Sequence, residues 1–362
     1  MPKKSASSPT RPPLAPQRIA VVGAGMAGVV CARTLIQVGH HVTLFEKSRG
    51  AGGRMSTRRS DFGGFDHGAQ FFTVRDARFE KALQATDAPV APWQVNMVRV
   101  LDPLGQRMST APVPPETRWV AVGGMNELVK YWARPIEAQL VSGECWVESR
   151  VTHIEPDAMR SRRWQLRVEG PEGTQRVAGG FDQVVLAVPH PQAADLLRSS
   201  GLAPHMQAAL SAVQVAPCWT LMVAFPQATP PGLDAFGPRW HAASSDHHRI
   251  RWVAREGSKP GRAAVERWTV QASPEWSTEH LEDDAERVKA KLLKGFAEIT
   301  GIRAQPAHAA VHRWRFAQTT QPLGQAFVHD AALGLTLCGD WCLGHRVENA
   351  FVSGLEAGLH LA

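Results

Sequence analysis

The sequence predicts an α/β protein in which a glycine-rich turn near the N-terminus and an acidic motif near the C-terminus form one site. The apolar run Arg18-Ile-Ala-Val-Val22 leads directly into Gly23-Ala-Gly25-Met-Ala-Gly28. Near the other end of the chain, Leu335-Thr-Leu-Cys338 leads into Gly339-Asp340, and an amphipathic helix that contains glycine follows. A glycine fingerprint alone is a weak sign of nucleotide binding. The two motifs together predict a flavin site.

The N-terminal unit begins with a short strand over Ile19–Val22, continuously apolar as in a parallel sheet that is covered on both faces. The three glycines then have separate tasks. Gly23 permits the tight turn, Gly25 lets a pyrophosphate approach the backbone, and Gly28 allows close contact between helix and strand.

A helix and a second strand complete this unit. The pattern predicts a helix over Met26–Val38, followed by Gly39 at its C-terminal end, and a strand over His41–Phe45. Glu46 follows that strand, where a carboxylate accepts hydrogen bonds from adenosine ribose hydroxyls. A tight turn without a ligand is the alternative, but strand, glycines, helix, strand and acid all fall in register.

Two further stretches favour a flavin over a nicotinamide cofactor. Arg49-Gly-Ala-Gly-Gly53-Arg54 is a second glycine-rich turn, and its Arg54 can neutralise the charge of a pyrophosphate. Phe65-Asp-His-Gly-Ala-Gln-Phe-Phe-Thr73 places Gln70 and Phe71 where the edge of a flat ring system fits. The alternative for this stretch is a half-buried strand with its phenylalanines in the core.

Composition limits the class of protein. With 362 residues, of which 44% are hydrophobic, the chain can hold one large or two moderate domains. Residues 1–17 are rich in Lys, Ser and Pro and lack an apolar stretch, which predicts a disordered tail and not a secretory signal. The net charge of +7 suits anionic small molecules, while the scattered basic residues argue against nucleic acid as a partner. No stretch suggests a membrane span.

Cysteine and histidine spacing does not suggest a metal site. The five cysteines form no CxxC pair, which favours a reduced, cytoplasmic protein without a metal. His241, Asp246, His247 and His248 are irregularly spaced and indicate a polar loop.

The rest of the chain predicts a second, mixed unit. We expect a buried strand over Phe181–Pro189, alternating strands from Cys218 onward, and a hairpin formed by Arg249–Arg255 and Glu266–Gln271. An amphipathic helix is predicted over Ser277–Ile299, with an acidic cluster crowding its first turn.

The second unit also offers substrate candidates. Arg249, Arg251 and Arg255 are expected on one strand face, with His247 and His248 just before them. They form either a cationic wall for a phosphate-bearing substrate or the solvent face of a half-exposed sheet, and the sequence does not decide between these. Trp314 either stacks on the substrate or fills the core.

The glycine motifs, Glu46, Gly52-Gly53-Arg54 and Gly339-Asp340 resemble the flavin amine oxidase superfamily, and from about Arg18 onward the chain resembles its bacterial renalase branch. The stretches that carry the closer resemblance are Asp66–Thr73, Val122–Asn126, Leu186–Pro189, Ser258–Arg262, Gln271–Ser277 and His312–Ala317. The resemblance implies a Rossmann-like FAD-binding domain of the glutathione-reductase and amine-oxidase type, with an interleaved substrate domain of mixed β-sheet plus helices. Residues 18–84, 118–198 and 323–362 would form the FAD-binding domain, and residues 85–117 and 199–322 the substrate domain.

The resemblance also implies individual roles. Glu46 would bind the adenosine ribose, Arg54 would lie near the phosphates, Asp340 at the ribityl–phosphate region, and Val151 against adenine. The full implied set for a non-covalent FAD is Gly23, Gly25, Met26, Ala27, Gly28, Glu46, Lys47, Gly53, Arg54, Met55, Gln70, Phe71, Val151, Gly339, Asp340, Val347, Glu348, Asn349 and Ala350. No side chain is assigned firmly to catalysis, for which Gln70, Phe71 and Trp314 are candidates.

The expected reaction follows from the branch. Renalase-like proteins oxidise misreduced dihydronicotinamide dinucleotides, the 2- or 6-dihydro forms of NAD(P), and pass the electrons to O2 to give H2O2. This chain has one tyrosine, Tyr131, so it cannot form the two-tyrosine cage of many amine-oxidising relatives. Oxidation of a small amine is the alternative within the same class. A non-redox flavin isomerase or an FAD-free binding protein are the alternatives from other classes.

Overall fold

The computed structural model describes residues 15–109, 116–159, 164–228 and 237–362. The predicted disordered tail therefore lies outside the described residues, apart from residues 15–17. The strands are β1 (Arg18–Val22), β2 (His41–Phe45), β3 (Thr57–Ser60), β4 (Gly63–Asp66), β5 (Val90–Pro92), β6 (Met97–Leu101), β7 (Trp119–Ala121), β8 (Gly143–Trp146), β9 (Arg150–Pro156), β10 (Trp164–Glu169), β11 (Gln175–Phe181), β12 (Gln183–Leu186), β13 (Gln214–Phe225), β14 (Ala242–Ser245), β15 (Ile250–Arg255), β16 (Glu266–Ala272), β17 (His308–Gln321), β18 (Phe327–Asp330) and β19 (Leu335–Cys338). The helices are α1 (Met26–Gln37), α2 (Ala77–Ala85), α3 (Asn126–Glu137), α4 (His190–Ser199), α5 (Pro204–Leu210), α6 (Pro274–Glu279), α7 (Ala285–Thr300) and α8 (Val347–Leu361).

The first sheet has six strands in the order β18-β19-β12-β1-β2-β8, and all neighbours are parallel except β18 and β19. The predicted first two strands and the helix between them are present, with the helix ending at Gln37. Gly39 follows with φ of +93°, a left-handed conformation that favours glycine after a helix. The α/β class is confirmed.

Strand register places the ends of this sheet together. Val22 lies opposite Phe45 on one side and Leu186 on the other, so β1, β2 and β12 end at the same edge. Gly23 and Glu46 are the next residues after β1 and β2. The carboxyl edge of a parallel sheet is where open α/β folds bind ligands.

The two faces of the first sheet are covered by different layers. Helices α1, α3 and α8 pack on one face through side chains such as Leu35, Trp132 and Phe351. A second core includes Leu166 from the β11-β10-β9 sheet and Leu197 from α4. Both cores are continuous and almost fully buried, which accounts for the apolar character of the strands between them.

The second sheet has six strands in the order β17-β13-β16-β15-β14-β6, antiparallel except for the pair β14 and β6. Trp219, Leu221, Val223 and Phe225 alternate along β13 and share a core with Phe296 of α7. The alternation predicted from Cys218 onward and the hairpin of β15 and β16 are both present.

The other face of the second sheet contacts the first unit. Trp252 and Ala254 of β15 belong to the same core as α1, α3 and α8. The β3–β4 ribbon also contacts this face, where Phe65 packs against Met222 and Ala224. The two units therefore share a continuous apolar interface.

A group of buried charges lies at this interface, and we call it the Asp66 cluster. It consists of Asp66, Glu256, Lys259 and Arg262, whose side chains are almost completely buried. The Asp66 carboxylate accepts from Lys259 Nζ at 2.9 Å and from Arg262 Nη2 at 2.6 Å. Burial opposes ionisation of Asp66, but the charges of Lys259 and Arg262 outweigh it and hold the pKa of this carboxyl well below its usual range.

Two predicted elements are divided in the structure. The helix predicted over Ser277–Ile299 is instead α6 and α7, because Asp284 caps α7 by accepting from the backbone N–H groups of Glu286 and Arg287. The predicted acidic cluster therefore lies before α7. Within this cluster, Glu282 pairs with arginines of β17.

The strand predicted over Phe181–Pro189 is also divided. β11 ends at Phe181 in the β11-β10-β9 sheet, and β12 begins at Gln183 in the first sheet. Asp182 lies at the change of sheet, and its carboxylate and backbone N–H bond the backbone of Arg18. One apolar run of the sequence therefore forms strands in two different sheets.

The helix α5 packs with the first unit. Met206 and Leu210 share the core of Leu166 and Leu197, although the predicted boundary at residue 198 assigns α5 to the substrate domain. No helix among the described residues is both long and apolar enough to cross a lipid bilayer.

Replacing Asp66 with Ala should strongly destabilise the protein. Lys259 and Arg262 would keep their buried charges without this carboxylate, which costs about 3–5 kcal/mol for a buried pair. The midpoint of thermal unfolding should fall. The control is Asp195→Ala, since Asp195 pairs with Arg198 on an exposed part of α4. Equal midpoints for the two variants would contradict the role of the Asp66 cluster.

Candidate functional site

The predicted glycine turn has the geometry that a bound pyrophosphate requires. Gly23 has φ of +104°, and a Cβ there would lie 2.6 Å from the carbonyl oxygen of Ala187. A Cβ on Gly28 would lie 1.9 Å from the carbonyl oxygen of Gly23, so helix α1 can approach the turn only with glycine at this position. A Cβ on Gly25 would meet no atom within 4 Å, so this part of the turn is open to a ligand.

The start of α1 is buried beneath this turn. Met26 and Ala27 are almost fully buried, and the α1 ladder begins with Val29 N–H donating to Gly25 O at 3.0 Å. The first backbone N–H groups of a helix have no partner within the helix and point beyond its N-terminus. The turn thus has the elements of an anion site.

Glu46 is fixed by backbone donors at the end of β2. Its Oε2 accepts from Ala24 N–H at 2.9 Å, and its Oε1 accepts from Ser48 N–H at 2.8 Å. Ser149 N–H donates to the Glu46 carbonyl at 2.8 Å, so the start of β9, with Val151, lies alongside. Glu46 therefore links the glycine turn to the segment that resembles an adenine contact.

Lys47 lies at the outer side of this region. Its Nζ reaches Gln192 Oε1 of α4 at 3.4 Å.

The second glycine-rich turn packs on the first. Gly52 N–H donates to Ala24 O at 2.9 Å, and a Cβ on Gly53 would lie 3.2 Å from Gly25 Cα. Met55, at the end of the short 3-10 turn Gly53–Met55, is buried in the core beneath. Both glycine turns therefore surround the same open space.

Arg54 and Asp340 form an ion pair that joins the two ends of the chain. Two nitrogens of the Arg54 guanidinium contact the two carboxylate oxygens of Asp340, one of them at 3.0 Å. Gly339 N–H donates to Ser353 of α8 at 2.8 Å, which fixes the turn after β19. The two residues predicted to lie along the phosphates are thus neighbours, in a geometry that favours planar, bidentate pairing.

His190 is a residue at this place that the sequence did not indicate. It is buried at the start of α4, and its charge interacts with those of Asp340 and Arg54. Burial is the main cause of the lowered pKa of His190. Its Nδ1 is buried without a hydrogen-bond partner among the described residues. An unpaired buried nitrogen beside the glycine turns fits a polar ligand such as a dinucleotide phosphate.

The start of α8 completes this region. Gly344 N–H donates to Asp340 O at 2.7 Å, and Arg346 N–H donates to Asn349 Oδ1 at 3.0 Å. Glu348 Oε1 accepts from Asp76 N–H at 2.7 Å. The first backbone hydrogen bond of α8 is donated by Ala350 N–H to Arg346 O. The N–H groups from Val347 to Asn349 come before it in the helix.

Gln70 is held by the backbone and by the Asp66 cluster. Its Nε2 donates to Gly68 O at 3.2 Å and to Asp66 O, and its Oε1 accepts from Lys259 Nζ at 3.4 Å. The amide is therefore fixed in one orientation. Of the two phenylalanines that the alternative interpretation placed in the core, Phe72 is buried there and Phe71 is only partly buried.

Phe71 belongs to an aromatic group with Trp93 and Trp252. The ring centroids of Phe71 and Trp252 are 5.7 Å apart, and those of Phe71 and Trp93 are 6.4 Å apart. Lys259 Nζ lies 5.6 Å from the Trp93 ring centre, which ties this group to the Asp66 cluster. Arg118 lies over the Phe71 ring at 5.4 Å.

Trp314 lies on the other side of the Asp66–Thr73 segment. Its Nε1 donates to His67 O at 2.8 Å, its ring stacks on His67 at 5.1 Å, and His312 meets it edge-on at 4.4 Å. Burial is the main cause that lowers the pKa of both histidines to about 4, so both are neutral near pH 7. Trp314 thus packs within the unit interface, beside the predicted site.

The arginine face predicted in the second unit does not reach this site. His247 Nε2 lies 3.0 Å from Glu298 Oε2, and Arg249 Nη1 donates to Lys291 O at 3.4 Å, both on α7. That helix covers the opposite face of the sheet from Trp252, while Arg251 is largely exposed.

Of the two alternatives left open for these arginines, the cationic wall does not include Arg255. Arg255 is buried, pairs with Glu266 at 3.2 Å and lies over the Trp268 ring at 4.7 Å. The register of β15 also shifts between Ile250 and Trp252, which breaks the simple alternation on which the wall depended. Among the described residues, no group of three or more His, Cys, Asp or Glu side chains is arranged to hold a metal ion.

Several site residues were missed because their signals are not local. Trp93, Arg118 and Trp252 lie on three separate segments and meet around Phe71 only through the tertiary fold, which also brings His190 near Asp340. Lys259 lies in one of the stretches that carry the closer resemblance, but no role could be assigned to it from its neighbours in sequence.

Comparison with known proteins identifies the family. A profile described as "Flavin containing amine oxidoreductase" matches residues 105–358, and one described as "NAD(P)-binding Rossmann-like domain" matches residues 21–85. The chain belongs to the flavin-containing amine oxidoreductase family. The description of this family names a flavin cofactor and oxidoreductase chemistry.

Curated relatives of this family match over short segments. A 4,4'-diapophytoene desaturase of Staphylococcus haemolyticus is 48% identical over 58 residues, which is 16% of this chain and 12% of the desaturase. An L-amino-acid oxidase of Pseudechis australis is 50% identical over 50 residues, 14% of this chain and 10% of the oxidase. In these matches the chain therefore spans only about a tenth of the length of each relative.

Solved structures match over nearly the whole chain. A candidate protoporphyrinogen oxidase from Exiguobacterium sp. 255-15 has a TM-score of 0.70 at 15% identity, covering 96% of this chain and 99% of that one. Wild-type putrescine oxidase bound to putrescine also has a TM-score of 0.70, at 13% identity, covering 96% and 99% of the two chains. At such identity these likenesses establish the fold of the family member and not its substrate.

Replacing Glu46 with Arg should abolish retention of FAD. The change removes the acceptor for Ala24 N–H and Ser48 N–H and puts a cation where a ribose hydroxyl needs an acceptor. The measurement is the ratio of visible flavin absorbance to protein absorbance after gel filtration. The control is Glu137→Arg, at an exposed position on α3. A Glu46→Arg protein that stays yellow with full occupancy would refute the assignment.

Acid should destabilise the protein through His67 and His312. Both have a pKa of about 4 when folded, below the ordinary value of 6.5, so between these values the unfolded chain binds protons that the folded one does not. Stability is therefore complete above about pH 6.5 and falls as the pH drops toward about 4. Thermal midpoints at pH 7.5 and 5 would test this, with His312→Gln losing less than the wild type. Identical losses in both proteins would contradict it.

Proposed function

We propose that this protein is a renalase-like oxidase that acts on misreduced dihydronicotinamide dinucleotides, the 2- or 6-dihydro forms of NAD(P). Bound FAD supplies the hydride acceptor, flavin N5, and O2 takes the electrons to give H2O2. The observation that supports the proposal is the aromatic group of Phe71, Trp93 and Trp252, while the nearby carboxylates of Asp66 and Glu256 are paired with Lys259 and Arg262 and are not free to act as a base.

A dihydropyridine suits such a surface. Loss of hydride converts it into an aromatic cation, so no side chain has to remove a proton. The task left to the protein is to align the ring away from water, for which the partly exposed Phe71, backed by the buried Trp93 and Trp252, is suited. His67 and His312, on the Trp314 side of this segment, are neutral near pH 7 and add no further positive charge.

Amine oxidation is the alternative and is supported by the family and by the likeness to putrescine oxidase. An amine must be unprotonated and oriented, often by two tyrosines. Tyr131 lies on α3 with Arg134 over its ring at 5.8 Å. Trp or Phe would have to replace both tyrosines, which makes the amine the second candidate.

The proposal includes non-covalent FAD and a cytoplasmic location. All five cysteines are free thiols, and Cys31, Cys338 and Cys342 are buried in the cores on either side of the first sheet. Free thiols are typical of a reducing compartment. The cofactor-binding roles of the residues around the glycine turns remain part of this proposal.

Anaerobic stopped-flow absorbance at the oxidised-flavin band should separate the two candidates. The protein is mixed with borohydride-generated dihydro-NAD isomers, with ordinary NADH, and with primary and secondary amines. We expect fast bleaching by the 2- or 6-dihydro isomers and slow or no bleaching by NADH and the amines. Fast bleaching by an amine alone would assign the protein to the amine oxidases and refute the dihydropyridine proposal.

A further inference from the structure

Arg118 differs from the other cations of the site because its guanidinium has no acidic partner in the part of the chain that the structure describes. Arg54 pairs with Asp340, and Arg262 with Asp66. Among the described residues, the structure gives the Arg118 side chain one contact only, with the Phe71 ring. The nearest acid along the chain, Glu116, is occupied by Arg75, whose Nη2 donates to Glu116 Oε2 at 3.0 Å. The positive charge of Arg118 is therefore available to a ligand.

The backbone fixes Arg118 beside the aromatic group. Trp93 N–H donates to Arg118 O at 2.7 Å, and the next residue, Trp119, exchanges two hydrogen bonds of 2.8 Å with Phe72. The backbone of Arg118 is thus hydrogen-bonded to that of Trp93. The next residue, Trp119, is paired with Phe72, which follows Phe71 in the chain. The backbone that carries this side chain is therefore anchored at Arg118 and Trp119.

A second observation points to a ligand at the same place. Trp252 is buried beside Phe71, and its Nε1 has no hydrogen-bond partner among the described residues. A buried indole N–H without an acceptor costs free energy unless a ligand or water satisfies it. A cation without an acid and a donor without an acceptor therefore flank one aromatic ring.

We propose that Arg118 binds the phosphate of the substrate while Phe71 and Trp252 hold its ring, so that the site selects a dihydropyridine carrying a phosphate over one without. This inference rests on the proposed function for the identity of the ring. The chemistry required is general: an aromatic surface for the flat ring, and a guanidinium for phosphate oxygens, to which it can donate two parallel hydrogen bonds. Arg118 is thus a specificity-determining residue, and no proton or electron passes through it.

The test is equilibrium binding to the FAD-loaded protein, which needs no turnover. Two ligands with the same ring and ribose are compared, NAD⁺ and nicotinamide riboside, which has no phosphate. Binding is followed by quenching of tryptophan fluorescence and by the shift of the flavin spectrum. The wild type should bind NAD⁺ roughly tenfold more tightly than the riboside, as expected for hydrogen bonds to a charged group.

Three variants make the test specific. Arg118→Gln should remove most of the preference for NAD⁺ and leave the affinity for the riboside unchanged, while Arg118→Lys should keep part of it. Arg198→Gln, which removes an exposed arginine on α4, should behave as the wild type. The visible flavin absorbance of each variant serves as the check on folding.

The outcomes separate this inference from the proposed function. An unchanged preference in Arg118→Gln, or a wild type that binds NAD⁺ no more tightly than the riboside, would overturn the role of Arg118 whatever the substrate is. A normal preference together with no bleaching by any dihydro isomer would instead overturn the proposed reaction and leave Arg118 as a binding residue for an anionic ligand.

Discussion

The site depends first on the register of the parallel strands in the first sheet. β1, β2, β12 and β19 end at one edge, and each is followed by residues that meet there. Because β19 is the last strand in the described part of the chain, its alignment with β12 brings Asp340 to Arg54, which follows the first βαβ unit. A shift of β19 by one residue would turn its core side chains to the wrong face and separate this ion pair. Register therefore couples core packing to the composition of the site.

The second constraint is the Asp66 cluster between the units. A buried ion group seldom adds net stability, because desolvation of the charges offsets their attraction. In this protein the ion group fixes the relative position of the two units. Asp66 belongs to the β3–β4 ribbon and Lys259 to the β15–β16 connection, so their contact fixes one unit against the other. Gln70 hydrogen-bonds the same lysine, and the orientation of its amide thus depends on how the units meet.

Charge is distributed unevenly around the aromatic group, and this distribution affects which kind of ligand the site suits. Arg54 and Arg262 are neutralised by carboxylates, and His67 and His312 are uncharged because burial lowers the pKa of both. Arg118 keeps its charge without an acidic partner in the described part of the chain. Such a site is neutral where a ring would be held and positive beside it, a pattern that suits an apolar ring attached to an anion.

The sequence by itself determined the first unit, because its signals are local. Strand, glycine turn, helix and Glu46 are contiguous, and the φ of Gly23 and the close approach at Gly28 need glycine whatever else the chain does. The tertiary structure alone decided which side chains of the second unit reach the site. The sequence left open whether the arginines of β15 line the site or face solvent, and in the structure Arg249 contacts α7, while Trp252 on the opposite face lies beside Phe71. The face of a strand that meets another unit depends on distant packing, and a local pattern does not contain that information.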